Sequence, residues 1–235
     1  MKVVILAGGK GSRISEYTQS IPKPMIKIGS KPIIEHIIDI YSAYKLKDFI
    51  IAGGYKYKII KKYFENKKKK KLNIKVINTG LDTLTGLRIK KLKKYLDNKT
   101  FLLTYGDGLA DIQINKLIKF HKKIKKIVTM TAVHPPARFG ELTFNKSNIK
   151  SFEEKPQLQR GWINGGFFVI NPEIFKVIKN KNVMFEREPI KKLVKMKQIA
   201  AYPHKSFWAC MDTKRDKDLL NKLAKSKKIP WLKSK

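Results

Sequence analysis

The chain has 235 residues, of which 42% are hydrophobic and 10% aromatic, so it can bury a substantial core and is not disordered as a whole. Its net charge is +35, yet only six of its 53 basic residues are arginine, whose forked guanidinium is the usual reader of base edges. We therefore interpret the charge as mostly solvated lysine surface, and a basic nucleic-acid-binding protein is the less favoured alternative.

Cysteine content and hydropathy indicate the cellular compartment in which the protein is expected. Cys210 is the single cysteine, which excludes a disulfide framework and fits a reducing compartment. No apolar run is long enough to cross a membrane, and the N-terminal apolar run is too short for a signal peptide. We expect a cytoplasmic protein that binds neither a membrane nor a specific nucleic acid.

Strands and helices alternate through the first half of the chain. Continuous apolar runs predict buried strands, and apolar residues spaced three to four apart predict amphipathic helices. In chain order the predicted elements are strand 3–7, helix 31–44, strand 49–52, helix 58–64, strand 74–77, helix 86–96, strand 101–105, helix 112–124 and strand 127–133. This alternation is typical of βαβ units around a parallel sheet.

The pattern changes after residue 135, where short apolar runs follow one another with few helices between them. These runs predict strands 141–144, 149–153 and 162–170, which we expect to extend the same sheet in antiparallel fashion, and helices 173–178, 188–196 and 215–223. No linker is long enough to separate independent domains. Residues 1–235 therefore predict one α/β domain with a mixed, mostly parallel sheet flanked by helices. The lysine run 67–71 predicts a mobile surface loop.

A glycine-rich turn after the first strand is the first candidate site. Glycine has no Cβ, so its backbone N–H groups can approach a phosphate closely. The segment is not a Walker loop, because Lys10 is followed by glycine, nor a dinucleotide fingerprint, because Ile14 holds the position of the third glycine. A strand exit that binds nothing is the alternative, but Arg13 and the proline-flanked Lys23 favour polyphosphate binding. The loop consists of Leu6, Ala7, Gly8, Gly9, Lys10, Gly11, Ser12 and Arg13.

Two aspartates form the second candidate site. Asp107 lies between glycines at the carboxyl end of strand 101–105, the edge where ligands bind in open α/β sheets. Asp212 follows another apolar run, and a pair of carboxylates together with substrate phosphates is a usual ligand set for Mg²⁺. The alternatives are a turn aspartate for Asp107 and a helix N-cap for Asp212. We interpret Asp111 as the N-cap of helix 112–124.

The remaining polar residues give weaker signals. Lys155 follows two glutamates and Asn164 precedes two glycines, which suits phosphate and sugar binding, although surface charge explains these patterns nearly as well. Cys210 has an apolar context without a basic neighbour, which indicates a structural thiol rather than a nucleophile. The four histidines have no metal-like spacing and are interpreted as packing or surface residues: His36, His121, His134 and His204.

The combination of motifs is more specific than its parts. Three N-terminal motifs, the Leu6–Arg13 loop, Pro22-Lys23-Pro24-Met25 and Tyr105-Gly106-Asp107-Gly108, resemble the sugar-1-phosphate nucleotidylyltransferases. Five C-terminal motifs narrow the resemblance to the subfamily of glucose-1-phosphate cytidylyltransferases: Pro135-Pro136-Ala137-Arg138-Phe139-Gly140, Glu154-Lys155-Pro156, Asn164-Gly165-Gly166-Phe167-Phe168-Val169, Glu186-Arg187-Glu188-Pro189, and Phe207-Trp208 with Met211-Asp212-Thr213-Lys214-Arg215-Asp216. The resemblance covers nearly the whole chain, but family members carry a longer segment between the second helix and the third strand.

This resemblance implies a Rossmann-like nucleotidyltransferase fold, dependence on Mg²⁺, and formation of CDP-glucose and pyrophosphate from CTP and α-D-glucose 1-phosphate. Such an enzyme feeds deoxysugar synthesis for surface polysaccharides, and a homo-oligomer is expected. The same fold with another nucleoside triphosphate or sugar 1-phosphate, as in a thymidylyl- or uridylyltransferase, stays open, because the base pocket is made largely of backbone.

The resemblance also implies a role for each candidate residue. Residues 1–134 would bind the nucleotide and residues 135–235 the sugar phosphate. The nucleotide ligands would be the Leu6–Arg13 loop, Lys23, Thr83 and Arg88. The sugar-phosphate ligands would be Tyr105, Lys155 and Asn164. Asp107 and Asp212 would hold the metal, and Arg13 and Lys23 would act catalytically by offsetting charge on the departing pyrophosphate.

Overall fold

The secondary structure follows the predicted order of strands and helices. The computed structural model describes residues 1–67, 71–135, 141–153, 161–226 and 228–232. Its strands are β1 (Val3–Ala7), β2 (Lys27–Ile28), β3 (Lys31–Pro32), β4 (Asp48–Gly53), β5 (Asn73–Asn78), β6 (Phe101–Tyr105), β7 (Gly108–Ala110), β8 (Val128–Val133), β9 (Glu141–Asn145), β10 (Asn148–Glu153), β11 (Ile163–Ile170), β12 (Ile199–His204) and β13 (Trp208–Cys210). Its helices are α1 (Ser15–Thr18), α2 (Ile33–Ser42), α3 (Tyr57–Asn66), α4 (Thr85–Lys91), α5 (Ile114–Ile124), α6 (Ile174–Val177), α7 (Glu188–Lys195) and α8 (Lys214–Ala224).

Seven strands form the central sheet in the order β12-β8-β11-β6-β1-β4-β5. All pairings in it are parallel except the two made by β11 with β6 and β8, so the sheet is mixed and mostly parallel, as predicted. In the register of β1, Leu6 lies opposite Tyr105 and Ala7 lies opposite Gly53. The segments that follow β1, β4 and β6 therefore leave the sheet side by side at its carboxyl edge.

Strand β1 is apolar throughout because both faces of the sheet are covered. Val3, Ile5 and Ala7 pack into one hydrophobic cluster together with α2 and α3. Val4 and Leu6 point to the other face and pack into a second cluster with α4 and α7. Successive side chains of a strand alternate between faces, so a strand covered on both sides has no polar position.

A short two-stranded sheet joins the two predicted metal ligands. Strand β13 pairs antiparallel with β7, with Cys210 opposite Gly108. The Met211 N–H donates to the Asp107 carbonyl at 2.9 Å and continues this pairing by one more hydrogen bond. The chain thereby brings Asp212 beside Asp107.

The structure differs from the sequence-based expectation in several places. Helix α1 and the short strands β2 and β3 were not predicted, and β3 takes the first two residues of the predicted helix 31–44. The predicted helix 86–96 ends at Lys91 and continues as a separate 3-10 turn, Lys93–Tyr95. Strands β9 and β10 form their own hairpin and do not extend the central sheet, whereas β11 does. The short strands β7 and β13 and the edge strand β12 were not predicted. Asp111 is not the N-cap of α5, which is Gln113; Asp111 Oδ1 accepts a hydrogen bond from Ser206 and lies 3.0 Å from His204 Nε2.

In the part of the chain that the structure describes, no helix is both long and apolar enough to span a bilayer.

Candidate active site

A cavity of about 900 Å³ opens at the carboxyl edge of the central sheet. Its walls come from the turns after β1 and β6, from the segment before α4, from the start of β11 and from the β13–α8 turn. Every predicted site residue that the structure describes lines it: Leu6, Ala7, Gly8, Gly9, Lys10, Gly11, Ser12, Arg13, Lys23, Thr83, Arg88, Tyr105, Asp107, Asn164 and Asp212. Lys155, with its Glu154-Lys155-Pro156 motif, lies outside the described residues.

The glycine loop is shaped by two local features. Gly11 has a φ of +68°, in the left-handed region that favours glycine, and its carbonyl accepts a hydrogen bond from Thr18 Oγ1 at 3.1 Å. The Gly8 carbonyl accepts from the Tyr55 N–H at 3.1 Å, which attaches the loop to the segment after β4. With its carbonyls engaged in these bonds, the loop is fixed in place beside the cavity.

The guanidinium of Arg88 packs against this loop at Gly8. Its side chain is buried, and its guanidinium donates to the carbonyls of Gly53 at 2.8 Å and Thr83 at 2.6 Å and, more weakly, to that of Gly8 at 3.4 Å. Burial lowers the pKa of Arg88. A Cβ on Gly8 would come within 2.1 Å of this guanidinium, so residue 8 is a glycine because the arginine fills the adjoining space. Arg88 therefore faces the cavity with most of its donors engaged by the backbone.

Thr83 and Lys10 lie where the glycine loop meets the segment before α4. The Thr83 hydroxyl donates to the Thr79 carbonyl at 2.7 Å and receives a hydrogen bond from Lys91 Nζ at 3.1 Å. Lys10 forms an exposed ion pair with Asp82 at 3.2 Å. The glycine loop and the segment before α4 thus contact each other across one side of the cavity.

Lys23 joins the two predicted metal ligands. Its Nζ lies 2.6 Å from Asp107 Oδ2 and 2.6 Å from Asp212 Oδ1, and its side chain is 11% exposed. Arg13 Nη1 lies 2.8 Å from the other oxygen of Asp212. Two carboxylates and two cations therefore meet at the end of the glycine loop, although the sequence separates them widely.

The electrostatics follow from these contacts. Burial by itself lowers the pKa of Lys23, but Asp107 and Asp212 outweigh it and raise this pKa above its usual value. Burial likewise works to raise the pKa of Asp212, and the hydrogen bond and charge of Lys23, aided by Arg13, lower it instead. The two aspartates thus present negative charge at a point that already holds a cation.

The same point suits a metal ion. Asp107, Cys210 and Asp212 each offer a ligand atom, and these atoms lie within 4.8 Å of one another. The carboxylates are hard oxygen donors of the kind that Mg²⁺ prefers, and the ammonium that bridges them shows that a cation is stable there. Burial, followed by the charges of Asp107 and Asp212, raises the pKa of the Cys210 thiol, so it stays protonated and is a poor nucleophile.

Asp212 is not the cap of the helix that follows it. Thr213 is the N-cap of α8, and Thr213 and Asp216 form a reciprocal capping box. The backbone N–H of Asp212 donates to Asp216 at 3.0 Å, which leaves the Asp212 carboxylate directed at Lys23 and Arg13. The alternative interpretation of Asp212 as a cap is therefore wrong.

Tyr105 and Asn164 also line the cavity and are joined by a hydrogen bond. The Tyr105 hydroxyl donates to Glu186 Oε1 at 2.5 Å and accepts from Asn164 Nδ2 at 3.1 Å. Burial, followed by the Glu186 charge, raises the pKa of Tyr105. Trp208 packs beside them and donates from Nε1 to the Gly165 carbonyl at 2.8 Å.

Sequence reasoning did not assign several residues of this site, of which Glu186 and Cys210 contact its polar groups most directly. Glu186 belongs to the Glu186-Arg187-Glu188-Pro189 motif, but only tertiary contact shows that it reaches Tyr105. Cys210 lies two positions before Asp212, and its neighbours in sequence give no sign that it faces the two carboxylates. The interpretation of Cys210 as an unreactive thiol agrees with its environment.

The histidines lie outside the cavity. His36, His121 and His204 are buried, where His36 packs against Trp231 and His121 Nδ1 lies 2.8 Å from Thr129 Oγ1. His134 packs on Trp162. Their interpretation as packing or surface residues is confirmed.

A mixed sheet with a glycine loop, two carboxylates and clustered cations at its carboxyl edge defines a nucleotidyl-transfer enzyme as the class of protein. A profile of the family described as nucleotidyl transferase matches residues 2–226. Over 253 aligned positions and 98% of both chains, the sequence is 43% identical to glucose-1-phosphate cytidylyltransferase of Salmonella typhimurium. It is 30% identical to mannose-1-phosphate guanyltransferase of Saccharomyces cerevisiae, over 94% of this chain and 63% of that one.

A solved structure shares the fold. HddC from Yersinia pseudotuberculosis, complexed with GMP-PN, superposes with a TM-score of 0.76 at 22% identity and covers 95% of this chain and 99% of that chain. The chain belongs to the nucleotidyl transferase family and is an enzyme of that family. The predicted Rossmann-like fold is confirmed, and the alternative of a nucleic-acid-binding protein is set aside.

Proposed function

We propose that this enzyme transfers a cytidylyl group from CTP to α-D-glucose 1-phosphate, with Mg²⁺, and releases CDP-glucose and pyrophosphate. The observation that carries the proposal is the convergence of Lys23 and Arg13 on Asp107 and Asp212 at the end of the glycine loop that lines the cavity. The identity of 43% to a glucose-1-phosphate cytidylyltransferase supports the choice of both substrates.

The reaction is an in-line displacement at phosphorus. A phosphate oxygen of the sugar 1-phosphate forms a bond to the α-phosphorus of CTP, the bond from that phosphorus to the bridging oxygen breaks, and its electron pair leaves with pyrophosphate. The attacking oxygen is already an anion, so no protein base is needed. The protein must align two anionic substrates and offset the charge that develops on the leaving group.

Fixed cations and backbone donors supply that stabilisation. The N–H groups of the Leu6–Arg13 loop suit the triphosphate, since the loop is rigid and lacks side chains at its glycines. Lys23 and Arg13 stand beside it and offset the charge on the departing pyrophosphate. Arg88 and Thr83 act on the nucleotide side. Arg88 donates to the carbonyls of Gly8 and Thr83, and Thr83 lines the pocket.

Asp107 and Asp212 would hold the metal ion. When bound, Mg²⁺ supplies charge neutralisation and orientation of phosphate oxygens. Both aspartates are partly buried and are paired with Lys23 and, at Asp212, also with Arg13, so the site is polar and organised before substrates arrive.

The sugar-phosphate ligands in this proposal are Tyr105, Asn164 and Lys155. Tyr105 and Asn164 line the same cavity as the glycine loop, so a sugar phosphate bound to them would lie next to a triphosphate bound by the loop. Residues 1–134 would then serve the nucleotide and residues 135–235 the sugar phosphate, in a cytoplasmic homo-oligomer. Sedimentation velocity measures the oligomeric state directly.

Pyrophosphate release tests the function. Purified enzyme is incubated with CTP, UTP, dTTP, GTP or ATP against a panel of sugar 1-phosphates, with Mg²⁺ or with EDTA. We expect CTP with glucose 1-phosphate to give the highest kcat/KM, and EDTA to abolish it. A preference for another triphosphate would replace the substrate assignment, and release that persists in EDTA would remove the metal from the mechanism.

A further inference from the structure

Five groups on the sugar side of the cavity form one continuous chain of hydrogen bonds. It runs from the Gly166 N–H through Asn164 and Tyr105 to Glu186, and from Glu186 to Thr85. Thr85 opens helix α4, whereas Asn164 and Gly166 belong to strand β11. These hydrogen bonds therefore connect the segment that borders the proposed nucleotide pocket with the strand that borders the proposed sugar pocket.

One end of this chain fixes the orientation of Asn164. The backbone N–H of Gly166 can only donate, and it does so to Asn164 Oδ1 at 2.8 Å. The amide nitrogen of Asn164 must then face Tyr105, to which it donates at 3.1 Å. One hydrogen of this amide group is left to face the cavity, which Asn164 lines.

The other end fixes the orientation of the Tyr105 hydroxyl. The Phe185 N–H donates to Thr85 Oγ1 at 2.8 Å, so the Thr85 hydrogen is free to go to Glu186 Oε2, at 2.6 Å. The second oxygen of Glu186 accepts the Tyr105 hydroxyl hydrogen at 2.5 Å. A carboxylate only accepts, so the Tyr105 hydrogen points away from the cavity.

We propose that Glu186, oriented by Thr85, is the positioning residue that sets which hydrogen-bonding groups meet the sugar phosphate. Tyr105 offers the cavity a lone pair and no hydrogen, and Asn164 offers it an N–H. The site therefore selects a sugar 1-phosphate with a hydroxyl that donates to Tyr105 and an oxygen that accepts from Asn164. The inference rests on the proposed function, because it takes these two side chains as sugar-phosphate ligands.

The substitution Glu186→Gln reverses this polarity with little change in shape. Thr85 still donates to the amide oxygen, so the amide nitrogen of the new side chain faces Tyr105 and donates to it. Tyr105 then receives hydrogens from both neighbours, and its own hydrogen turns into the cavity. The opposite orientation of the amide would break the hydrogen bond that the partly buried Thr85 hydroxyl donates, and would place two donors against Thr85 Oγ1, which already accepts from the Phe185 N–H.

Analogues of the substrate read out that reversal. We measure kcat/KM for glucose 1-phosphates in which one ring hydroxyl at a time is replaced by hydrogen or by fluorine. Hydrogen neither donates nor accepts a hydrogen bond at that position, and fluorine only accepts one. In the wild type, both replacements at the position that meets Tyr105 should lower kcat/KM by about tenfold, because the Tyr105 lone pair is left unpaired. In Glu186→Gln the fluoro analogue should recover relative to the parent sugar while the deoxy analogue does not.

Three further variants separate positioning from folding. Thr85→Val should raise the KM for the sugar phosphate with the KM for CTP unchanged, and Thr85→Ser, which keeps the hydroxyl, should restore it. Glu188→Gln makes the same chemical change at an exposed position two residues away and should leave the analogue ranking intact. Melting temperatures of all variants show whether they fold.

The results distinguish a failure of the positioning role of Glu186 from a failure of the proposed function. Equal losses for every sugar, with an unchanged analogue ranking in Glu186→Gln, would overturn the positioning role and leave a structural one. If the wild type releases no pyrophosphate with any sugar, the proposed function fails, and titration calorimetry with the same analogues still measures the polarity of the pocket. Identical calorimetric rankings for wild type and Glu186→Gln, or no binding at all, would then overturn the inference as well.

Discussion

Asp107 Oδ2 and Asp212 Oδ1 each lie 2.6 Å from one ammonium group, although half of the chain separates the two residues. The pairing of β7 with β13 brings them together, and the capping box of α8 leaves the Asp212 carboxylate free to turn into the cavity. Lys23 reaches both from the opposite side. The two carboxylates therefore hold the Lys23 ammonium at the place where negative charge develops in the proposed reaction.

The two aspartates are expected to be needed for turnover but not for folding. Asp107→Asn and Asp212→Asn each remove one charge from the metal site, and the rate should fall by about a hundredfold or more. Their melting temperatures should stay close to that of the wild type, because Thr213 and Asp216 cap α8 without help from Asp212. Steady-state kinetics at limiting Mg²⁺ give the measurement, with the exposed Asp218→Asn as the matched control. Near wild-type activity in Asp212→Asn would end its assignment as a metal ligand.

Lys23 should matter far more than a surface lysine. Lys23→Ala removes a nearly buried cation beside two carboxylates, whereas Lys58→Ala removes an exposed one on α3 that water and salt screen. We expect the first variant to lose at least about a hundredfold in kcat/KM at ~0.15 M salt and the second to change little. If the two losses agree within about threefold, the positive charge acts only as a general attractor of anionic substrates.

Neighbouring glycines of the loop should respond differently to the same substitution. A Cβ at Gly8 would come within 2.1 Å of the Arg88 guanidinium, while a Cβ at Gly9 meets nothing within 4 Å. Gly8→Ala should therefore displace Arg88, destabilise the protein by about 1–3 kcal/mol and raise the KM for CTP. Gly9→Ala should keep stability near the wild-type value. Denaturant unfolding and CTP kinetics check both, and equal behaviour of the two variants would contradict the support of the loop by Arg88.

The Cys210 thiol should resist alkylation in the native enzyme. Burial and the nearby carboxylates of Asp107 and Asp212 raise its pKa, and only the thiolate reacts with iodoacetamide. At pH 8.5 we expect the native rate to be at least about tenfold below that of the same protein in guanidinium chloride. Because the chain has a single cysteine, the labelled mass reports this residue alone. Fast labelling of the native protein would show that the thiol is accessible and ionised.

Local sequence was a good guide to the elements of the main sheet. The strands at Val3–Ala7 and Phe101–Tyr105 have the predicted bounds, because a strand buried on both faces is mostly apolar and its neighbours are glycine or polar; the one polar residue within these two strands is the buried Thr104. The short strands β7 and β13 were missed, since three residues carry no periodicity of their own and are fixed only by pairing with each other. The hairpin β9–β10 was predicted as strands, but its separation from the central sheet depends on contacts that a local pattern does not contain.

The sequence by itself determined the residue types of the site and its place at the carboxyl edge of the sheet: the glycine loop, the proline-flanked Lys23, and Asp107 after a buried strand. These signals are local, because they arise from backbone constraints and from hydrophobic periodicity within a few residues. Only the tertiary structure decided that Asp212 joins Asp107 rather than capping α8, that Arg88 fills the space beside Gly8, and that Glu186 holds Tyr105. Each of these contacts joins residues far apart in the chain, and the packing that brings them within hydrogen-bond distance is a property of the whole fold and of no single segment.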